Sequence, residues 1–184
     1  VVNVNVPADS VVISQVYGGG GNTGATLKND FIELINHSSV PVNLNGWSVQ
    51  AWSFSTNSWQ VTPLTNFTLQ PGQYYLVQEA QGAGGTDNLP TPDAVGTIAI
   101  SSGSTKVALV SNTTAITGAC PNAASGLIDL VGYGSDPIIG TCYEGSGAGP
   151  TLSNTIADQR RNEGCFDTDD NAADFVTIAP NPHN

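Results

Sequence analysis

Short apolar runs alternate with polar, turn-forming clusters along this chain, and each run has the length of a strand. Val11, Ile13 and Val16 mark a first strand. Phe31, Ile32, Leu34 and Ile35 mark a second, ended by the turn formers Asn36-His37-Ser38-Ser39. Val40, Val42 and Leu44 alternate with other residues, Asn45-Gly46 predicts a tight turn, and Trp47 to Trp52 forms the next strand. Another begins at Trp59 to Val61, after the polar turn Ser55-Thr56-Asn57-Ser58. Gln70-Pro71-Gly72-Gln73 predicts a β-turn into Tyr74-Tyr75-Leu76-Val77. Beyond a polar loop from Gly82 to Pro92, strands are expected at Thr97 to Ile100, Lys106 to Val110 and Leu127 to Tyr133. No segment carries a helical period and no solenoid repeat is present. The pattern predicts an all-β sandwich over residues 11–184.

The first ten residues, VVNVNVPADS, form a separate arm. Val2, Val4 and Val6 would line one face of a strand, with Asn3 and Asn5 on the other. Two readings stand: an extra edge strand of the same domain, or an assembly strand (Val1, Val2, Val4, Val6) donated to a neighbouring copy.

Composition narrows the function classes. A chain of 184 residues can bury roughly 70% of its unfolded surface, so the core needs no metal or disulfide to exist. Four basic residues, Lys28, Lys106, Arg160 and Arg161, face fifteen acidic ones, for a net charge of −11. Such a chain repels phosphate backbones and anionic lipid, and no basic stripe offsets this, so nucleic acid is not an expected partner. No apolar run approaches the about 18 residues of a membrane span. The start at Val1-Val2-Asn3, without methionine, reads as a secreted chain whose signal peptide has been removed. Three cysteines in an oxidising compartment predict one disulfide and one thiol. Cys120 and Cys142 flank the strand Leu127 to Tyr133 and are the favoured pair, with Cys142 and Cys165 the alternative.

Several motifs lie in a telling order. They are Ile13-Ser14-Gln15-Val16-Tyr17 with the glycines after it, Asn29-Asp30-Phe31-Ile32-Glu33-Leu34, and Leu44-Asn45-Gly46-Trp47-Ser48-Val49. Leu69 to Val77, Asp129-Leu130-Val131-Gly132-Tyr133-Gly134 and Asp167 to Phe175 follow. Together they resemble the lamin tail domain in its bacterial secreted form. The resemblance implies an immunoglobulin-like β-sandwich from Val11 to the C-terminus, with Trp47 in the core. It also implies an accessory module of secreted proteins, some fused to nucleases or phosphoesterases, with no catalytic residues of its own.

Several constellations invite chemistry. Asp167, Asp169 and Asn171 at alternate positions, with Asp174, repeat the opening of a calcium loop. Ala172 stands where the tight-turn glycine belongs and Ile178 where the twelfth-position glutamate belongs, so the competing expectation is a turn capped by its own side chains. The run Gly18 to Gly21 lacks the Lys-Ser/Thr of a phosphate loop and reads as a connector. His37 and His183 have no motif around them, which argues against a nucleophile triad. Glu33, Glu79, Asp129 and Glu144 are the carboxylates that a glycosidase pair would draw on, against the simpler reading as exposed positions. Trp52 and Trp59 flank a polar hairpin and are candidates either for core packing or for stacking on carbohydrate. Asn36, Asn66 and Asn112 carry glycosylation sequons that fit surface loops.

The expectation is therefore a non-catalytic, extracellular structural protein. It would be a cell-surface or filament subunit that polymerises with itself through the N-terminal strand. The alternative is a secreted binding module for carbohydrate or a calcium-dependent ligand.

Overall fold

In a computed structural model, which describes residues 10–121, 126–135 and 142–184, the valine-rich run of β1 (Val11–Tyr17) is buried along its whole length. It lies in the middle of a sheet whose two faces are both covered. The arm residues Val1, Val2, Val4 and Val6 fall outside the described residues.

The chain continues through β2 (Asn29–Asn36), β3 (Val42–Asn43), β4 (Ser48–Ser53), β5 (Ser58–Pro63), β6 (Thr68–Leu69) and β7 (Tyr74–Gln81). Then come β8 (Ala94–Val95), β9 (Thr105–Val110), β10 (Leu127–Tyr133), β11 (Ala157–Arg160), the one-turn helix α1 (Asn171–Asp174) and β12 (Phe175–Ile178). A six-stranded sheet in the order β12-β11-β1-β2-β7-β8 packs on a four-stranded sheet, β10-β9-β4-β5, and β3 pairs with β6 beside them. This is the expected β-sandwich. The turn at Asn45-Gly46 is present, with Gly46 at φ 82, a conformation that costs glycine nothing.

Ile13, Val16, Ile32, Leu34, Tyr75 and Val77 from one sheet meet Val49, Ala51, Val107, Leu109, Val131 and Tyr133 from the other. The three-residue step from Ile13 to Val16 breaks strict alternation. A bulge between Ile13 and Gln15 accounts for it, inserting a residue so that both side chains face inward.

Each sheet also has a small core on its outer face. Tyr17, Phe31 and Leu76 are covered by the loop residues Leu27 and Leu89. Trp52, Trp59, Ala108, Val110 and Leu130 are covered by Ile116 and Cys142. Covering both faces is what lets β1 and β9 carry runs of adjacent apolar residues, Val11-Val12-Ile13 and Val107 to Val110.

Three expectations change. Residues 97–100 form no ladder. Ile98 and Ile100 enter the core, but their amides donate to carboxylates, Ile98 N to Glu79 Oε2 at 2.8 Å and Ile100 N to Asp30 Oδ2 at 3.0 Å. The strand beside β7 is instead β8, paired in parallel through Val77↔Ala94. The segment from Asp167 holds a helix, which at four residues is too short to show a period.

Candidate functional site

The acidic segment weighed as a calcium loop or a self-capped turn is organised around a guanidinium. Arg160, on β11, is fully buried. Its Nη2 donates to Asp129 Oδ1 at 3.0 Å and Oδ2 at 2.9 Å, one nitrogen shared between both carboxylate oxygens in a charge-assisted contact. Its Nη1 donates to Asp167 Oδ1 at 2.5 Å and Asp174 Oδ2 at 3.2 Å, and Nε donates to Ile13 O at 3.0 Å. The guanidinium also lies 4.7 Å from the centre of the Phe175 ring.

The segment then wraps on itself. Asp174 accepts from Thr168 Oγ1 at 2.6 Å and Thr168 N at 2.9 Å, while Asp170 caps α1 by accepting from Ala172 N and Ala173 N. Asn171 is buried away from this group. Its Oδ1 accepts from Gly132 N at 2.8 Å and its Nδ2 donates to Leu130 O at 2.9 Å, tying α1 to β10. Of the four candidate calcium ligands, Asp167 and Asp174 meet on Arg160, Asn171 faces β10, and Asp169 sits exposed at φ 54. Among the described residues, no three His, Cys, Asp or Glu side chains are placed to share a metal ion. Burial, together with the charge of Asp129, pushes Glu144 beside this cluster up to about 9.

A second group lies along the side of the sandwich. Gly18, Gly20, Asn22, Asp30, Gln81 and Ile100 line a cleft of about 150 Å³. The glycine run packs rather than opens: a Cβ on Gly20 would come 1.9 Å from the Asn29 carbonyl carbon, and Gly20 N donates to Asp30 Oδ1 at 2.8 Å. Burial pushes Asp30 up to about 7, despite its two backbone donors, and raises Glu79 to about 7 as well. Asp158 on β11 stands opposite Val16, fully buried, with neither oxygen hydrogen-bonded among the described residues, and burial pushes it up to about 8. The four carboxylates weighed as a glycosidase pair do not assemble as one site. Asp129 and Glu144 share the Arg160 cluster, Glu79 bonds Ile98, and Glu33 accepts from Ser14 and His183 on the outer face.

The tryptophans lie under cover. Trp52 and Trp59 are only 6% and 4% exposed and pack edge to face with centroids 5.9 Å apart. Lys106 Nζ, from β9, lies 4.5 Å from the Trp52 ring centre and donates to Ala119 O at 2.5 Å, while Trp59 Nε1 donates to Gly118 O at 3.0 Å, so the loop before Cys120 is fastened over both rings. They belong to the outer core, not to an open stacking platform. The Cys120–Cys142 disulfide closes this cover, and Cys165 is the free, exposed thiol. Closing a 22-residue separation stabilises the fold by roughly 3 kcal/mol. Reduction is expected to lower the melting temperature by about 6–12 °C and to brighten or shift tryptophan emission. Calorimetry and fluorescence with and without dithiothreitol check both.

Comparison with known proteins settles the family. The lamin tail domain family model matches residues 6–135, which is most of the chain. The chain belongs to the lamin tail domain family. No curated protein matches it. Among solved structures, a DUF4876 family protein from Bacteroides thetaiotaomicron VPI-5482 is similar in fold, with a TM-score of 0.58 at 12% identity, covering 96% of this chain and 73% of that one.

The matched lamin tail residues run through β10. They stop short of the C-terminus, to which the motif order was expected to extend. The strands β11 and β12, which complete one side of the six-stranded sheet, and Arg160 with its acidic segment come from residues beyond the match. Arg160 is the residue that motif reading passed over. Its signal was present: one of only four basic residues, in a chain with fifteen acidic ones.

Among the described residues, no helix is long and apolar enough to cross a membrane.

Proposed function

We propose that this lamin tail domain is a non-catalytic, extracellular structural protein that assembles with copies of itself through its N-terminal strand. The observation that carries the reading is where the chain enters the fold. β1 lies in the interior of the six-stranded sheet, between β11 and β2, and Ser10 O is already engaged by His37 N at 3.1 Å. Ser10 and Val11, which follow the valine arm in sequence, therefore lie in the middle of the sheet and not at an edge. The edge strand β12 pairs with β11 on one side through Ala157↔Ile178 to Arg160↔Phe175. The other side of an edge strand is a template for an added strand, and Val2, Val4 and Val6 have the alternation of one. The disulfide supports an oxidising compartment. The burial of Trp52 and Trp59 lends no support to carbohydrate stacking.

Light scattering and electron microscopy of the purified chain, with and without residues 1–10, test this. The full chain is expected to form concentration-dependent, end-to-end polymers and the shortened chain a monodisperse species. Monodisperse monomers from both would overturn the proposal.

A further inference from the structure

The outer face of the six-stranded sheet carries a row of buried polar side chains. Gln159 on β11, Gln15 on β1 and Glu33 on β2 stand opposite one another across the three strands, and all are buried. Gln15 Nε2 donates to Gln159 Oε1 at 2.8 Å, and Ser14 Oγ donates to Glu33 Oε1 at 2.5 Å. A buried amide or carboxylate costs stability unless its remaining capacity is met.

What meets it is the main chain of one extended segment. Asn181 N donates to Gln15 Oε1 at 3.0 Å, and Gln15 Nε2 donates back to Asn181 O at 3.1 Å. A single side-chain amide thus reads both main-chain groups of one residue. Two residues on, His183 N donates to Glu33 Oε2 at 2.5 Å. The His183 ring sits 3.1 Å from the same oxygen through Nδ1 and packs 4.8 Å from the ring centre of Tyr74. Asn184 Nδ2 donates to Thr91 O beyond it.

The sequence of this segment fits the row. Pro180 and Pro182 have no N–H, so Asn181 and His183 supply the main-chain donors of residues 180–183, and each finds a buried acceptor. Proline at alternate positions holds the chain extended before it docks, which lowers the ordering cost. Donors two residues apart meet side chains on adjacent strands. The segment leaves edge strand β12 and crosses the sheet to meet Gln15 on β1 and Glu33 on β2, and exchange of one identical element between copies is a low-cost route to dimers.

We propose that the Gln159-Gln15-Glu33 row is a recognition site for an extended peptide with proline at alternate positions. It is filled in cis by residues 179–184 and takes the same segment from a second copy of the chain. This site stands independently of assembly through residues 1–10.

Two recipients test it: a chain ending at Ile178, and a full-length chain carrying Asn181→Pro and His183→Pro, which loses both donors but keeps the row. Circular dichroism first establishes that each is folded. A fluorescein-labelled peptide of residues 177–184 is then titrated and followed by anisotropy. Saturable binding to both recipients is expected, at least tenfold tighter than to the wild-type chain, whose row is already filled. Binding should fall at least tenfold when the peptide carries proline at the positions of Asn181 and His183, or when the recipient also carries Gln15→Ala. No saturable binding to a folded recipient at millimolar peptide would overturn the proposal. So would equal binding by a scrambled peptide.

Discussion

Replacing Arg160 with methionine is expected to destabilise the fold by about 3–5 kcal/mol, the cost of leaving buried charge without its partner. In a chain of this size that lowers the melting temperature by roughly 6–20 °C. The reasoning rests on how much one guanidinium serves. It is the counter-charge for Asp129, Asp167 and Asp174, and its Nε satisfies Ile13 O in the strand at the centre of the sheet. Without it, Asp129 keeps Ile13 N and Asp174 keeps Thr168, but their charges lie buried against each other. The loss should therefore spread across β1, β10, β11 and the turn leading to α1. Arg160→Lys keeps the charge, but a single ammonium cannot reach Asp129, Asp167, Asp174 and Ile13 O together as the three guanidinium nitrogens do, so it should recover less than half of the loss. In acid the deficit of the methionine variant should narrow, since protonation removes the charges that Arg160 had balanced. Thermal melts of the three proteins at pH 4 and pH 7 measure this. A methionine variant melting within 2 °C of wild type at pH 7 would mean that the cluster is not a structural centre.

What the sequence disclosed and what it hid divide along the range of the interactions. The strands through Tyr74–Gln81 were legible because β-branched and aromatic runs sit between turn residues whose backbone role is local. The Asn45-Gly46 turn needs only its own two residues. The disulfide could be read from the position of two cysteines about one strand.

The rest depends on partners far away in the chain. The strand Ala157–Arg160 is Ala-Asp-Gln-Arg, which reads as a polar loop. It becomes a buried strand because Arg160 meets Asp129, 31 residues earlier, and Gln159 meets Gln15, 144 residues earlier. Residues 97–100 read as a strand because their apolar content is right, yet the acceptors for their amides are carboxylates on β2 and β7. Trp52 and Trp59 read as candidates for core packing or for stacking, and what decides for packing is distant in the chain, the cover supplied by the loop before Cys120. Glu33 and His183 meet across 150 residues, beyond any local pattern. The family followed from the strands alone, whereas the candidate sites formed only once distant polar residues were brought together.

Stability should be greatest near pH 4–5 and fall steadily towards pH 8, the reverse of the usual behaviour of surface carboxylates held in ion pairs. Burial pushes acidic groups up: Asp30 and Glu79 to about 7, Asp158 to about 8 and Glu144 to about 9, with Glu33, Asp93 and Asp129 shifted in the same direction. In the unfolded chain the same groups release their protons near pH 4. Between pH 4 and 7 the folded state therefore holds more protons than the unfolded state, and the free energy of unfolding falls as pH rises. Each such group contributes up to about 1.4 kcal/mol per pH unit across its own window, so Asp158 alone removes about 3 kcal/mol between pH 5 and pH 7.5. Asp158 is the cleanest probe, because its two oxygens have no hydrogen-bond partner among the described residues to share the effect. Asp158→Asn cannot ionise. It should melt with a shallower dependence on pH, at or below wild type at pH 5 and above it at pH 8. Calorimetric melts of both proteins at half-unit intervals from pH 4.5 to 8.5 would show the two curves crossing. A wild-type melting temperature that is flat or rising over that range would mean that these carboxyls are ionised and compensated in the folded protein, against the burial that surrounds them.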